Sequence, residues 1–185
     1  MKIAVGITGA SGSIYGLKFL EALKSLNIES HLIVSDAGDM VCRHELGYGR
    51  DELSKHADHY YDINSIDSPL ASGSFQIDKM VIIPCSMNTM ACIASGISLN
   101  LIHRCANVIL KEEKKLVLVL RETPYSPVDI ENMLKLSRIG VTVLPASPGF
   151  YHRPKTIDDL VNHIVGKTLD ALSIKNDLFK RWGSD

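Results

Sequence analysis

The chain has 185 residues, of which 45% are hydrophobic and 22% charged, and its net charge is -1. This length and composition predict one globular domain over residues 1–185 with a sizeable core. The small net charge gives no reason to expect nucleic acid or an anionic membrane as a partner, and no apolar run reaches the roughly 18 residues of a membrane span.

The first predicted unit is a strand, a glycine-rich turn and a helix. Residues 3–5 are apolar, the turn is Gly6-Ile7-Thr8-Gly9-Ala10-Ser11-Gly12-Ser13, and leucines at positions 17, 20, 23 and 26 follow at helical spacing. Glycines allow close backbone approach, and amides at a helix start favour an anion. The turn therefore favours a phosphate or a flavin edge over a turn without a ligand. The spacing is not GxGxxG, so a dinucleotide is not specifically indicated.

The second predicted strand covers residues 30–34, and Ser35 and Asp36 stand at its carboxyl end. An acidic residue there could hold a ribose hydroxyl of NAD. Capping of the next helix by Ser35 or Asp36 is the interpretation that we favour. That helix is expected to extend to about Glu45, a surface residue unless its face looks into the ligand cleft.

Residues 46–78 are the least regular stretch. A helix is expected over residues 51–57. Residues 65–74 are rich in Ser, Gly and Pro, and residues 71–74 among them indicate a flexible loop. Such a loop could be a lid or a contact to a neighbouring subunit. His56 and His59 are one helical turn apart, but without a third ligand nearby they are expected to be surface histidines rather than a metal site.

The third predicted strand covers residues 80–83 and is closed by Pro84. Polar side chains at Ser86, Asn88 and Thr89 then precede a helix predicted over residues 90–97, where they could contact a ligand or cap the helix. Cys85 is expected to be a packed thiol rather than a nucleophile. A helix over residues 101–111 carries Arg104 and Lys111.

Five consecutive apolar residues, 116–120, predict a strand covered on both faces, as in a parallel sheet. The strand ends in Arg121-Glu122-Thr123-Pro124. Ligands of open α/β sheets bind just outside the carboxyl ends of the strands. Taken alone the Arg-Glu pair could be an exposed ion pair of little consequence, but other strands deliver polar groups to the same edge.

The last part of the chain contains a helix over residues 128–138, a strand over 141–144 and a long helix to residue 172. Tyr151, in the loop between the last two, could bind a phosphate, flank an apolar group or cover the core. The amphipathic tail, residues 173–185, is expected to dock on a neighbouring subunit.

Alternating strands and helices predict a Rossmann-like three-layer α/β/α fold with a doubly wound parallel sheet. Its carboxyl edge would gather hydroxyls, Arg121, Glu122 and Tyr151, a set that suits a phosphorylated planar cofactor beside a second anion. The four cysteines form no CxxC pair and lie in apolar surroundings. Together with an N-terminus unlike a secretion signal, they favour a cytoplasmic location.

Six motifs occur in the order found in one known family. They are Gly9-Ala10-Ser11-Gly12, Pro84-Cys85-Ser86-Met87-Asn88-Thr89, Leu110-Lys111-Glu112, Leu118-Val119-Leu120-Arg121-Glu122-Thr123-Pro124, Asn132-Met133-Leu134 and Pro148-Gly149-Phe150-Tyr151. From Met1 to Trp182 the chain thus resembles the UbiX-like flavin prenyltransferases, also known as aromatic acid decarboxylases, of the homo-oligomeric flavin-containing flavoproteins. Each motif alone is weak, but six in register are specific.

The resemblance implies transfer of a dimethylallyl group from dimethylallyl phosphate to reduced FMN. The product would be the prenylated FMN used by UbiD-like decarboxylases. The family forms homododecamers and its bacterial members need no metal.

The resemblance also implies roles for individual residues. Glu122 would be the acid/base residue, with Ser11 and Glu45 beside it. The prenyl phosphate would be bound by Tyr151 and Lys167, helped by Arg104 and Lys111 across a subunit boundary. FMN would be held by Gly9, Ala10, Ser11, Ser35, Ser86, Met87, Asn88, Thr89 and Arg121.

The chain departs from the family pattern at three positions. Leu120 replaces a proline, Ile66 stands where an aromatic is frequent, and Lys167 stands where arginine is more frequent; lysine cannot make a forked contact. The alternatives are an FMN-dependent cysteine decarboxylase, which has a motif close to residues 84–89, and a non-catalytic FMN electron carrier, a class usually more acidic. A short-chain dehydrogenase, which Thr8-Gly9 and Asp36 suggest, is a less favoured interpretation.

Overall fold

A computed structural model describes residues 1–183 of the chain, so Ser184 and Asp185, the end of the predicted domain and tail, lie outside the described residues. Six parallel strands form one sheet in the order β3-β2-β1-β4-β5-β6. The strands are β1 Lys2–Ile7, β2 Glu29–Val34, β3 His59–Tyr61, β4 Lys79–Cys85, β5 Lys115–Leu120 and β6 Thr142–Pro145. The helices are α1 Ser13–Ser25, α2 Asp36–Leu46, α3 Arg50–Leu53, α4 Met87–Ala94, α5 Leu101–Lys111, α6 Pro127–Arg138 and α7 Ile157–Ala171.

The sheet is buried on both faces, as the uninterrupted apolar run of β5 predicts. Val117 and Val119 point into a core shared with α1 and α7. Leu116, Leu118 and Leu120 point into a second core shared with α4 and α5. Alternation along one strand therefore joins the three layers, and the Rossmann-like three-layer fold is confirmed.

The strand order creates a crevice at the centre of the sheet. The chain starts at β1, winds outwards through β2 and β3, and then returns to β4 on the other side of β1. The loops after β1 and β4 consequently leave in opposite directions. Ligands of such folds bind at this switch point.

Several predicted elements differ in detail. The short edge strand β3, His59–Tyr61, was not predicted, because three polar or aromatic residues carry no burial pattern. The expected helix over residues 51–57 is α3 followed by a 3-10 turn, Ser54–His56. Pro84 does not close β4, which continues to Cys85. The helix expected over residues 90–97 begins at Met87 because Ser86 caps it.

The segment over residues 65–74 packs on the protein through its middle part. It contains a 3-10 turn, Pro69–Ala71, capped by Ser68. Leu70 is only 1% exposed and belongs to the second core. Arg104 Nε donates a 3.0 Å hydrogen bond to the Ala71 carbonyl, so α5 holds the loop in place.

Among the described residues, no helix is both long and apolar enough to cross a membrane.

Candidate functional site

Two loops meet at the switch point through a single threonine. The hydroxyl of Thr8 donates to the Pro84 carbonyl at 2.9 Å and accepts the Ser86 amide at 2.8 Å. The Thr8 amide donates to the same carbonyl at 3.2 Å. Thr8 is 1% exposed, so these contacts are shielded from water. The glycine loop after β1 and the polar turn after β4 are thereby fixed to each other.

The start of α2 lies tightly against the glycine loop. A Cβ atom added at Gly9 would lie 2.5 Å from the Ala37 Cβ, so only glycine fits there. The Ser35 amide donates to the Ile7 carbonyl at 2.9 Å, and the Ser35 hydroxyl accepts the Gly38 amide at 3.0 Å. Ser35 is therefore the helix cap and also lies next to the glycine loop.

The Asp36 carboxylate contacts a side chain of the protein, whereas in a dinucleotide site it would bind a ribose hydroxyl. Its carboxylate accepts a 2.7 Å hydrogen bond from the Arg50 guanidinium. The NAD ribose interpretation of Asp36 therefore gains no support from the structure.

Glu45 occupies the anion position at the start of α1. Its carboxylate accepts the Gly12 amide at 3.0 Å and the Ser13 amide at 2.8 Å. Burial acts to raise the pKa of Glu45, but hydrogen bonds from the Ser11 side chain and from the two amides lower it overall. The anion at the Gly12 and Ser13 amides is therefore a carboxylate from α2. The same contact brings Ser11 and Glu45 together, as expected.

The turn after β4 presents a short polar surface. Ser86 Oγ donates to Thr89 Oγ1 at 3.1 Å and accepts the Thr89 amide at 3.3 Å, so both predicted caps form one pair. Met87 is half-buried and Asn88 is exposed. Cys85 is buried, and burial raises the pKa of its thiol, which fits the expected packed side chain rather than a nucleophile.

Arg121 brings an incompletely paired cation to this edge. Its Nε atom is buried and has no hydrogen-bond partner among residues 1–183. A buried guanidinium nitrogen without a partner is costly unless a ligand supplies an acceptor. The next residue, Glu122, is half-buried, and its carboxylate accepts the Thr123 amide at 2.9 Å.

Tyr15 is a site residue that the sequence interpretation missed. Burial raises its pKa, and the charge of Arg121 acts in the opposite direction. The Tyr15 ring also covers Gly12, where an added Cβ would approach it to 2.7 Å. The only signal in the sequence was its position in the first helical turn after the glycine loop.

Tyr151 lies in an aromatic cluster in front of α7. Its hydroxyl is 3.3 Å from Nε2 of His163, and its ring contacts Trp182 edge-on at 5.5 Å. Phe179 packs on His163 from the tail. The described part of the tail thus packs on its own chain. Tyr151 remains 42% exposed and can contact a ligand.

The cations named as phosphate ligands lie at different places within one chain. Lys111 ends α5 just before β5 begins at Lys115, so β5, about 20 Å long, separates it from Arg121. Lys167 lies one helical turn after His163, whose ring nitrogen is 3.3 Å from the Tyr151 hydroxyl.

Local partners hold these cations at their positions. Lys111 is 3.4 Å from Glu112, and Lys167 is 3.8 Å from Asp170. Arg104 is held by the Ala71 carbonyl. Within one chain, Lys111 therefore lies at the opposite edge of the sheet from Arg121 and Glu122.

Comparison with known families gives a consistent result. The profile of the Flavoprotein family matches residues 1–169. A flavin prenyltransferase UbiX of Methanocaldococcus jannaschii is 47% identical over 184 residues, and the alignment covers 100% of each chain.

Two solved structures are similar over nearly their full lengths. AnUbiX (PadA1) in complex with FMN and dimethylallyl pyrophosphate superposes with a TM-score of 0.97 at 41% identity, covering 99% of this chain and 97% of that chain. A dodecameric FMN-dependent UbiX-like decarboxylase from Escherichia coli O157:H7 also gives a TM-score of 0.97 at 41% identity, covering 100% of both chains.

Proposed function

The chain belongs to the Flavoprotein family and, within it, to the UbiX flavin prenyltransferases, and from this membership we propose how its residues divide the reaction. The protein is a flavin prenyltransferase that binds FMN. The dimethylallyl donor and the reduced FMN acceptor are held at the carboxyl edge of the sheet. No observation among residues 1–183 favours the cysteine decarboxylase or the electron carrier.

The observation that carries the proposed site is the unsatisfied Arg121 beside a fixed junction of two loops. Thr8 and Ser86 join the loops on each side of the switch point. The buried Nε of Arg121 offers a hydrogen bond to an acceptor that the chain itself does not provide. The phosphate oxygens and the ring carbonyl oxygens of FMN are acceptors that suit this guanidinium nitrogen. The chain residues proposed to hold FMN are Gly9, Ala10, Ser11, Ser35, Ser86, Met87, Asn88, Thr89 and Arg121.

Bond breaking in the donor creates negative charge on the departing phosphate. Cations placed around that phosphate stabilise the charge as it develops. We assign this role to Lys167, with Arg104 and Lys111, and propose that the Tyr151 hydroxyl donates a hydrogen bond to the same phosphate; all four side chains are exposed. Aromatic and apolar walls exclude water from the allylic fragment.

Glu122 is assigned as the acid/base group that moves the protons released from the flavin. Its half-buried carboxylate accepts one backbone amide and leaves an oxygen for a ligand. Proton transfer by a positioned carboxylate contributes typically 10²–10⁴-fold to a rate. Ser11 and Glu45 lie together at the start of α1 and complete this side of the site.

The site is completed by neighbouring copies of the chain. Lys111 of one chain lies too far from its own Arg121 to share a small substrate with it, given the length of β5. The dodecameric relative supports a homododecamer. In that assembly one copy supplies Glu122 and another supplies Lys111. The tail, of which Trp182 is 81% exposed, is proposed to contact such a copy.

The cellular setting completes the proposal. The four cysteines are free and buried, which suits the reducing cytoplasm. The prenylated FMN is passed to a UbiD-like decarboxylase.

Mass spectrometry of the flavin tests the assignment directly. The protein is mixed with reduced FMN and dimethylallyl phosphate, the flavin is released, and its mass is measured. The expected product is heavier than FMN by one dimethylallyl group. Bound FMN of unchanged mass, with the donor present in excess, would contradict the proposal.

A further inference from the structure

Three side chains that are far apart in the sequence form a cluster on the outer part of the sheet. Glu29 and His31 lie on the same face of β2 because side chains alternate along a strand. His59 is the direct neighbour of His31 across the β2–β3 pairing. The sequence had paired His59 with His56, but the fold places it against His31. The cluster lies at the amino end of β2, whereas Ser35 follows the carboxyl end of that strand.

The distances within the cluster suit a metal ion. His31 Nε2 and His59 Nε2 lie 3.1 Å and 3.2 Å from the same carboxylate oxygen of Glu29. One donor atom from each residue lies within 4.8 Å of the other two. Donors that bind Zn²⁺ at about 2.0–2.2 Å in a tetrahedron are separated by roughly 3.4 Å. Small side-chain movements therefore bring all three donors to bonding distance.

The second nitrogen of His31 is already oriented. His31 is 1% exposed, and its Nδ1 lies 3.0 Å from the Tyr61 hydroxyl. Metal-bound histidines almost always use their other nitrogen in this way, which holds the ring and leaves Nε2 available. Phe75 packs edge-on against the same ring at 5.5 Å. These contacts make His31 a rigid ligand.

The ring of His59 is the one that can rotate so that the two histidine nitrogens face one ion. The two imidazoles are stacked, with centroids 4.6 Å apart and planes 19° apart, so their lone pairs must tilt to converge. His59 lies on the edge strand, and its side chain is 50% exposed. It can therefore rotate without disturbing the core, and its exposure leaves a coordination position open to solvent.

We propose that Glu29, His31 and His59 form a binding site for a divalent transition-metal ion, with Zn²⁺ as the representative ligand. Two imidazoles and one carboxylate are a donor set that suits zinc and its first-row neighbours rather than Mg²⁺ or Ca²⁺. The ammonium of Lys2 competes with a metal ion for the Glu29 carboxylate, from which it lies 3.7 Å away. The same ammonium lies 4.9 Å from the Phe75 ring centre, so it has an alternative contact when the ion displaces it.

Calorimetric titration of the FMN-loaded protein with Zn²⁺ tests the site. One ion per chain is expected to bind. His59→Gln is expected to weaken this binding by at least about tenfold, and Tyr61→Phe by about 10–100-fold. Lys2→Met is expected to strengthen it because the competing cation is gone. His56→Gln, which removes another partly exposed histidine, is the matched control and should leave the affinity unchanged.

A change in Zn²⁺ affinity can be distinguished from a loss of folding and from damage to the flavin site. Bound FMN per chain and the circular dichroism spectrum report whether each variant retains its fold. If His59→Gln binds Zn²⁺ as tightly as the unaltered protein, or if His56→Gln weakens binding equally, the assignment is overturned. Glu29→Gln, at the half-buried carboxylate ligand, gives a second measurement and is expected to weaken Zn²⁺ binding to the same extent as His59→Gln.

Discussion

The hydroxyl of Thr8 accepts the backbone amide of Ser86 at 2.8 Å, although 78 positions separate the two residues. The same hydroxyl donates to the Pro84 carbonyl at 2.9 Å. One buried side chain therefore sets the spacing between the glycine loop and the turn after β4. Both loops are proposed to contact FMN, so the binding site depends on this contact.

Thr8→Val is expected to destabilise the protein and to weaken FMN binding. Valine has nearly the same shape but leaves the Ser86 amide without a partner, at a cost of about 1–3 kcal/mol. Thermal unfolding and flavin titration measure the two effects. Thr8→Ser retains the hydroxyl and is the control. If Thr8→Val is as stable as the unaltered protein and binds FMN as tightly, the hydrogen bonds of the Thr8 hydroxyl do not support the site.

Gly9→Ala is expected to impair FMN binding because its Cβ would lie 2.5 Å from the Ala37 Cβ. The glycine loop and the start of α2 must then separate. The double variant Gly9→Ala/Ala37→Gly removes that contact and is expected to recover much of the affinity. Flavin titration of the three variants gives the comparison, and the absence of recovery would show that the loop itself requires glycine.

Glu45→Gln is expected to lower stability in a manner that depends on pH. The pKa of Glu45 is lowered in the folded protein, where hydrogen bonds from Ser11 and the amides outweigh burial. Its contribution is therefore fully present above the unfolded pKa of about 4.3 and is lost as pH falls through the folded pKa. The destabilisation, up to about 1 kcal/mol for this exposed carboxylate, should be largest near pH 7 and shrink below about pH 4.

Unfolding midpoints of Glu45→Gln and the unaltered protein, measured from pH 7 to pH 3, check this expectation. Glu52→Gln, at the exposed pair with Lys55, is the control, with an expected effect below about 0.5 kcal/mol. A difference for Glu45→Gln that stays constant down to pH 3 would show that charge at this position is irrelevant.

Glu122→Gln is expected to bind FMN normally and to lose turnover by about 10²-fold or more, because the amide cannot accept and return protons. The measurement is the amount of prenylated flavin formed, beside the amount of FMN bound. Glu131→Gln, on the exposed face of α6, is the matched control. Full activity in Glu122→Gln would remove this residue from the mechanism.

Mixed assemblies test whether one site uses two chains. Lys111→Gln and Glu122→Gln are each expected to be inactive, but co-assembled chains should recover part of the activity, since some sites combine an intact Lys111 with an intact Glu122. Arg121→Gln mixed with Glu122→Gln is the control, because both residues come from the same chain. Recovery in the control but not in the test pair would contradict the shared site.

Local patterns in the sequence predicted much of the fold. Apolar runs such as residues 116–120 marked the buried strands, and Ser35 and Ser86 marked helix starts, because burial and capping are properties of neighbouring residues. The sequence also showed that Arg121 and Glu122 follow a buried strand directly. This was sufficient to place them at the carboxyl edge of the sheet.

Long-range pairing decided the remaining relationships. Glu45 takes the amides of Gly12 and Ser13, His59 lies against His31, and Lys111 lies a full strand length from Arg121. No local pattern encodes these distances, since each depends on how distant strands are ordered in the sheet and in which direction each helix returns. The sequence by itself determined which chemical groups end each strand. The tertiary structure decided which of those groups can reach one ligand, because strand order and register arise only when the whole sheet buries its two faces.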